Sequence, residues 1–217
     1  IAVINNNYVP QLANIGVQDT IIYEYFEAYK DTLSVFFDNF SDNKGWTGYG
    51  SPAQWQRQSA QASIGCGDGS FEAQDPAGDV SIGADNYILG NNIGGCYDND
   101  IVGIHYITSP EMNCDGLSEV FVKFYRNAGW QGRVHDTLNI EVFDGTNWVV
   151  IDTNSNANHN DLDWVVKQYN VSTYAANNPQ FKVRFGLGGT DKDRNYKGLN
   201  IDDFHVYALA NLACANT

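Results

Sequence analysis

Short runs of alternating apolar and polar residues, separated by clusters of Gly, Asn and Asp, fill most of this 217-residue chain. The run Thr137–Phe143 is a clear example, because it places Leu138, Ile140 and Val142 on one face and polar residues on the other. No amphipathic helix of ten or more residues is visible, and a helical turn is expected only within residues 165–174. This pattern predicts an all-β fold, a jelly-roll β-sandwich of two antiparallel sheets.

Further strands are predicted at residues 120–125, 148–151, 181–187 and 199–207, with a hairpin turn at Asp144-Gly145. The start of the chain differs, since Asn5–Pro10 is linker-like and residues 11–35 show no clean period. We therefore expect residues 1–35 to form a linker and edge-strand extension, and residues 36–217 to form the jelly-roll domain.

The charge balance restricts the possible partners. Lys and Arg number 12 and Asp and Glu number 26, so the formal net charge is −14. A protein this acidic lacks the basic surface that nucleic acids and anionic membranes require, and no apolar run is long enough for membrane insertion. Such a charge suits cation binding or solubility in salt.

Four cysteines lie in turn-like sequence, and none forms a CxxC pair that would suggest zinc. An even number of cysteines in loops predicts disulfides and export to an extracellular compartment. Of the three possible pairings we favour Cys66 with Cys96 and Cys114 with Cys214. Because the chain begins at Ile1 without a signal peptide, we expect a processed piece of a longer secreted protein.

Several weak motifs occur in an order typical of one group of domains. They are Phe37–Phe40 with Gly45-Trp46, Ile107–Pro110, Asp136–Val142 and Gly198–Phe204. In this order they resemble the jelly-roll modules around MAM domains and the cleaved-adhesin domains of secreted bacterial proteases, although Leu199 replaces the usual Trp. The resemblance implies a non-catalytic accessory module of a secreted multidomain bacterial protein, such as a peptidase. It would bind a protein or polysaccharide target, or stabilise a neighbouring domain.

The resemblance also implies a structural calcium ion. Carried over residue by residue, its ligands would be Asp38, Asp136, Asp202 and Asp203. Further oxygens could come from Asp75 and Asp79.

A second possible calcium loop follows from the residues themselves. Asp191, Asp193 and Asn195 form a D-x-D-x-N run, which matches the spacing of oxygen ligands in calcium loops. The glycine that makes the sharp turn in such loops is replaced by Tyr196, so a solvated turn is the alternative.

Catalytic motifs are absent from the sequence, which contains no HExxH, GxSxG, GxxxxGK[ST] or GxGxxG. His135 beside Asp136, and His205 near Asp203, are the only suggestions of a His–Asp couple. The sequence therefore favours a binding module over an enzyme. A carbohydrate-binding module or a sandwich-fold polysaccharide-active enzyme remains the alternative.

Aromatic residues supply a possible ligand face. Trp130 lies in a Gly-flanked segment, and Trp55 and Tyr49 lie in a loop-rich stretch, so we expect these three to be exposed. Trp148 and Trp164 are expected to pack in or beside the core.

Overall fold

The structure is a computed structural model that describes residues 9–14, 21–26, 30–66, 74–81 and 85–211. Its elements in chain order are β1 (Val9–Asn14), β2 (Ile21–Phe26), β3 (Lys30–Asp38), β4 (Trp55–Ser59), β5 (Tyr87–Asn91), β6 (Ile104–Thr108), β7 (Val120–Trp130), β8 (Thr137–Phe143), β9 (Trp148–Thr153), β10 (His159–Asn160), β11 (Val165–Asn170), the single-turn helix α1 (Ser172–Ala175), β12 (Lys182–Gly188) and β13 (Gly198–Asn211).

Two antiparallel sheets make up the sandwich, which confirms the predicted fold class. The seven-stranded sheet has the order β10-β7-β13-β5-β4, with β11 also pairing with β7 and β3 with β13. The four-stranded sheet has the order β6-β12-β8-β9. Among the described strands, β1 and β2 pair with each other in a separate two-stranded sheet.

The core lies between the two sheets and is built from alternate residues of their strands. Phe124 of β7 and Phe204 of β13 meet Phe185 of β12, with ring centres 5.2 Å and 6.1 Å from that of Phe185. Trp46 packs edge-on against Phe204 at 5.2 Å. All four rings are buried, and truncation of such a side chain to Ala costs about 3–5 kcal/mol.

The strand predictions agree with the structure apart from their ends and one segment. The helical turn expected within residues 165–174 lies at the end of that range, at Ser172–Ala175, whereas Val165–Asn170 is a strand that was not predicted. The alternation of exposed and half-buried residues in β11 explains the difference, because it has a period of two. The predicted domain boundary at residue 36 falls within β3, which pairs with β13 from Lys30 to Asp38.

One of the two predicted disulfides is present in the structure. Cys66 and Cys96 form a disulfide with a Cα–Cα distance of 5.8 Å, as predicted. Cys114 is buried and forms no disulfide within the described residues, and desolvation raises the pKa of its thiol to about 11. Its predicted partner Cys214 lies outside the described residues. Within the described part of the chain, no helix is long and apolar enough to cross a membrane.

Candidate functional site

The outer face of the seven-stranded sheet is covered by residues 74–81. Asn200 Nδ2 donates to Asp75 Oδ1 at 2.7 Å, and Val80 N donates to Asp202 Oδ2 at 2.7 Å. Asn200 and Asp202 alternate along β13 with core residues, so their side chains point away from the core. Both are fully buried, which shows that residues 74–81 pack over this face.

The four-stranded sheet carries a different set of outward side chains. In β8, Leu138, Ile140 and Val142 belong to the core, so Asn139 and Glu141 point outward.

The strands β12 and β6, which follow one another on one side of β8, continue this surface. In β12, Val183, Phe185 and Leu187 point inward, so Arg184 and Gly186 point outward. The register places Arg184 opposite Glu141 and Gly186 opposite Asn139. On its other side, β12 places Gly186 opposite Tyr106 of β6.

Arg184 is the centre of the outer face. Its guanidinium carbon lies 3.8 Å from the ring centre of Tyr106 and 4.1 Å from that of Trp148. Its Nε donates to Glu141 Oε2 at 2.8 Å. A planar cation held between two rings and a carboxylate has little freedom to move, so this group of side chains is rigid.

Tyr106 completes the group. Its hydroxyl donates to Glu141 Oε1 at 2.6 Å. Desolvation, followed by the hydrogen bond to Glu141, raises the pKa of Tyr106, so its phenol keeps the donated proton. Glu141 itself is only 4% exposed and is neutralised by Arg184. We refer to Tyr106, Asn139, Glu141, Trp148 and Arg184 as the outer-face cluster.

Asn139 supplies an unused polar atom in this cluster. It is 5% exposed, and its Nδ2 lies 3.5 Å from Glu141 Oε1. Its Oδ1 is buried and has no hydrogen-bond partner among the described residues. Because buried polar atoms are nearly always paired, this oxygen is suited to accept a hydrogen bond from a ligand.

The charges on this face are balanced, in contrast to the chain as a whole. Arg184 pairs with Glu141 at 2.5 Å, and Lys182 pairs with Glu111 at 3.2 Å. Phe143 adds apolar surface beneath the Lys182 ammonium, which lies 4.9 Å from its ring centre. The face therefore combines aromatic surface with fixed hydrogen-bonding groups, and the cations Arg184 and Lys182 are both paired.

The structure corrects the expected exposure of two predicted ligand residues. Trp55 is 1% exposed within the core, where its Nε1 donates to the carbonyl of His105 at 3.0 Å. Trp130 is 6% exposed, because it ends β7 and points between the sheets. Tyr49 is 39% exposed, as expected.

The five residues of the outer-face cluster were not identified as ligand residues from the sequence. Trp148 was expected in or beside the core, but it lies beneath Arg184 on the outer face. The alternation in β8 could have placed Asn139 and Glu141 on one face. It could not have brought Tyr106 or Trp148 to them, because that depends on pairing between strands distant in sequence.

Two predicted calcium ligands, Asp38 and Asp136, accept hydrogen bonds from other residues of the protein. Asp38 is fully buried and accepts hydrogen bonds from Phe40 N and Trp46 Nε1, at 2.8 and 2.9 Å. Asp136, also fully buried, accepts a hydrogen bond from the Tyr97 hydroxyl. Burial raises the pKa of both carboxyl groups.

Asp202 and Asp203 both contact Ser81. Asp202 accepts from Ser81 N at 3.2 Å and Asp203 from Ser81 Oγ at 2.7 Å. Desolvation raises the pKa of Asp202 to about 7. Asp79 faces Asp85, and desolvation followed by this like-charged neighbour raises the pKa of Asp79.

Two carboxylate oxygens beside Ser81 lack hydrogen-bond donors in the described part of the chain. Asp79 Oδ2 and Asp85 Oδ1 are buried and have no hydrogen-bond donor among the described residues. A pair of facing carboxyl groups needs a shared proton or a cation.

The remaining predicted ligands lie elsewhere. Asp75 accepts hydrogen bonds from Asn200 and Gly94, and desolvation raises its pKa to about 6. Asp191 accepts from Asp193 N at 2.8 Å within its own turn, and it pairs with His135 at 2.7 Å. Among all described residues, no group of three or more His, Cys, Asp or Glu side chains is arranged to hold a metal ion. The four carried-over aspartates are not gathered in one such group, and the calcium sites stay predictions.

The two histidines noted in the sequence have separate partners. His135 Nδ1 contacts Asp191 rather than Asp136. His205 Nε2 lies 3.0 Å from Ser34 Oγ.

Comparison of the sequence with protein-family profiles and with curated proteins gives no match. Solved structures with a similar arrangement include TmCBM61 in complex with β-1,4-galactotriose, with 15% identity and a TM-score of 0.38 over 74% of this chain and 91% of that chain. The K3 cleaved adhesin domain of Lys-gingipain from Porphyromonas gingivalis has 14% identity and a TM-score of 0.37, over 72% and 93%. TmCBM27, a carbohydrate-binding module described for specific mannan recognition, has 13% identity and a TM-score of 0.41, over 82% and 98%. Similarity at this level supports no inference about function.

Proposed function

We propose that this chain is a non-catalytic binding module that holds a glycan against the outer-face cluster. The observation that carries the proposal is the position of Arg184 between the rings of Tyr106 and Trp148, fixed by Glu141. Sugars present an apolar C–H surface edged by hydroxyl groups. A face that combines aromatic rings with planar hydrogen-bonding groups is complementary to such a ligand.

Rigidity supports the same proposal. Each polar side chain of the cluster is held by another, so binding would cost little additional side-chain entropy. The unused Oδ1 of Asn139 offers an acceptor for a sugar hydroxyl.

The wider setting forms part of the proposal and rests on the sequence resemblance. The module would belong to a secreted multidomain bacterial protein, with a peptidase or another hydrolase as its neighbour. The Cys66–Cys96 disulfide supports export, because such bonds persist in oxidising compartments. Calcium is proposed as a stabilising ion.

Binding to neutral polysaccharides tests the proposal directly. The wild-type chain is run in affinity gels containing xylan, galactan, mannan or β-glucan, beside Trp148→Ala. Tyr207→Ala is the matched control, because Tyr207 is an aromatic residue stacked on Phe121 in the other sheet. We expect at least one polysaccharide to retard the wild-type chain and the control, but not Trp148→Ala.

Retardation that persists in Trp148→Ala would place the site elsewhere. If no polysaccharide retards the wild-type chain, the glycan proposal is wrong. Binding to immobilised proteins through Trp148 would then support the protein-target alternative.

A further inference from the structure

Lys197, which immediately precedes β13, is the only buried lysine or arginine in the described part of the chain, with 1% of its surface exposed. Its Nζ donates hydrogen bonds to the backbone carbonyls of Asp161 and Gln74, at 2.7 and 3.1 Å. It also donates to the side-chain oxygen Oδ1 of Asn127, at 2.5 Å. All three acceptors are uncharged, so they compensate only in part for the water that the ammonium loses. Desolvation lowers the pKa of Lys197 to about 8, which favours the neutral amine.

The fold brings this lysine to the outer face of the seven-stranded sheet. Asn127 of β7 lies directly opposite Asn200 of β13, so their side chains share that face. Regular alternation would direct Lys197 to the other face. Gly198 has a φ of 78°, in the left-handed region, which interrupts the alternation directly after Lys197. The lysine amine is thereby held against the side-chain amide of Asn127.

Lys197 Nζ is close enough to Asn127 for a covalent step. The amide carbon Cγ is bonded to Oδ1 at about 1.23 Å, so Nζ lies no more than about 3.7 Å from Cγ. Reacting atoms that are positioned for attack lie about 3–3.5 Å apart. A desolvated lysine is also a better nucleophile than an exposed one, because more of its amine is neutral.

A carboxyl group that can carry a proton lies beside this pair. Asp75 is 3% exposed, and its Oδ1 accepts a hydrogen bond from Asn200 Nδ2 at 2.7 Å. Gln74, the preceding residue, is itself an acceptor for Lys197 Nζ. Asp75 is thus connected to both sides of the contact between Lys197 and Asn127.

Asn127 also has a path to solvent. It lines a cleft of about 470 Å³, together with residues 74–79 and 160–164. A small molecule released from the side chain of Asn127 can leave through this cleft.

We propose that Lys197 and Asn127 form an isopeptide bond, an amide cross-link from Nζ of the lysine to Cγ of the asparagine. Lys197 passes one proton to the carboxylate of Asp75, and the neutral amine attacks Cγ. The new C–N bond forms and the bond from Cγ to Nδ2 breaks, so that Nδ2 leaves as ammonia with one proton of the former amine. The ammonia takes the proton back from Asp75 and departs as ammonium. The step is an exchange of one amide for another and needs no oxidant or further reactant.

The cross-link would join the middle of β7 covalently to the start of β13. It lies on the opposite sheet from the outer-face cluster and does not depend on glycan binding. The proposal therefore goes beyond the proposed function, and either can fail without the other.

Mass spectrometry of the full chain tests the proposal. The protein is reduced and unfolded, its intact mass is measured, and it is then digested with trypsin, which does not cleave after a lysine whose amine is in an amide bond. In the cross-linked chain, residues 127–133 should be recovered joined to residues 195–217. Lys197→Met and Asn127→Ala each remove one partner. Lys167→Met is the matched control, because Lys167 pairs with Asp152 instead.

We expect the wild-type chain and Lys167→Met to be lighter by one ammonia than their sequences require, and to give the linked peptide. Lys197→Met and Asn127→Ala should have their full calculated masses. The proposal is wrong if the wild-type mass is the full calculated mass, or if the loss of ammonia lies within a single unlinked peptide, as in an asparagine succinimide. A loss of ammonia that persists in Lys197→Met would also overturn it. The wild-type digest is decisive by itself, so a variant that does not fold leaves the test intact.

Discussion

The ring of Tyr106 lies against the backbone of Gly186, so closely that a β-carbon added to Gly186 would be 2.5 Å from Cε1 of Tyr106. Gly186 pairs with Tyr106 across the strands β12 and β6. The missing side chain lets Tyr106 reach over β12 to Glu141, which would otherwise lack one of its donors.

Replacing Gly186 by Ala should displace Tyr106 from Glu141. We expect polysaccharide retardation to fall as in Trp148→Ala, and the unfolding free energy to drop by about 1–3 kcal/mol from overpacking. Gly78→Ala is the control, because a β-carbon there would meet only Asn86 Oδ1 at 3.5 Å. Wild-type retardation in Gly186→Ala would show that the position of Tyr106 does not matter for binding.

Stability should increase as the pH falls from about 8 to about 5 when chelator is present. The pKa of Asp202 is raised to about 7 and that of Asp75 to about 6, so the folded state binds these protons more tightly than the unfolded state. The resulting stabilisation is present at low pH and is lost as the pH rises through these values. For Asp202 the effect is on the order of 3 kcal/mol.

Thermal unfolding of the wild type and Asp202→Asn across this pH range checks the sign. The variant keeps the shape of the carboxyl group but cannot titrate, so its melting temperature should vary less with pH. A wild-type melting temperature that falls towards pH 5 would contradict the assignment.

Calcium should raise the melting temperature, and chelator should lower it. We expect the ion at the facing pair of Asp79 and Asp85, because two oxygens there have no hydrogen-bond partner among the described residues. At a calcium concentration 100 times the dissociation constant, binding would raise the free energy of unfolding by about 2.7 kcal/mol. We expect Asp85→Asn to remove the chelator effect.

Asp136→Asn is the control for the calcium prediction, since Asp136 is already paired with Tyr97. If the chelator effect were lost in Asp136→Asn and kept in Asp85→Asn, the ion would be bound at Asp136 and not at the pair of Asp79 and Asp85. An unchanged melting curve in chelator, with no calcium found in the protein, would contradict calcium binding altogether.

Two disulfides are expected in the oxidised protein. The Cys66–Cys96 bond closes a loop with a sequence separation of 30, and loss of a bond of this loop length should cost roughly 3–4 kcal/mol. Peptide mapping without reduction should recover Cys66 linked to Cys96 and Cys114 linked to Cys214. If Cys114 and Cys214 can both be alkylated in the unfolded, unreduced chain, the second disulfide does not form and only Cys66–Cys96 is present.

Local patterns explain why the fold class was predictable. The alternation in Thr137–Phe143 requires only that neighbouring residues point to opposite faces, and turn residues such as Asp144-Gly145 end a strand by their own backbone preferences. The turn-like sequence around the cysteines was an equally local signal. The sandwich and the presence of a disulfide could therefore be predicted from the sequence, whereas the structure selected Cys66–Cys96 among the possible pairings.

The binding face required the tertiary structure, for a physical reason. Tyr106, Arg184 and Trp148 belong to three strands. Only the pairing of β6 with β12, of β12 with β8 and of β8 with β9 brings the centres of both rings within 4.1 Å of the Arg184 guanidinium carbon. The same is true of Trp55, which has glycines and polar residues around it in sequence and yet is buried by a distant strand. Sequence determined which residues form strands; the register between strands, which depends on packing across the whole core, decided which side chains share a surface.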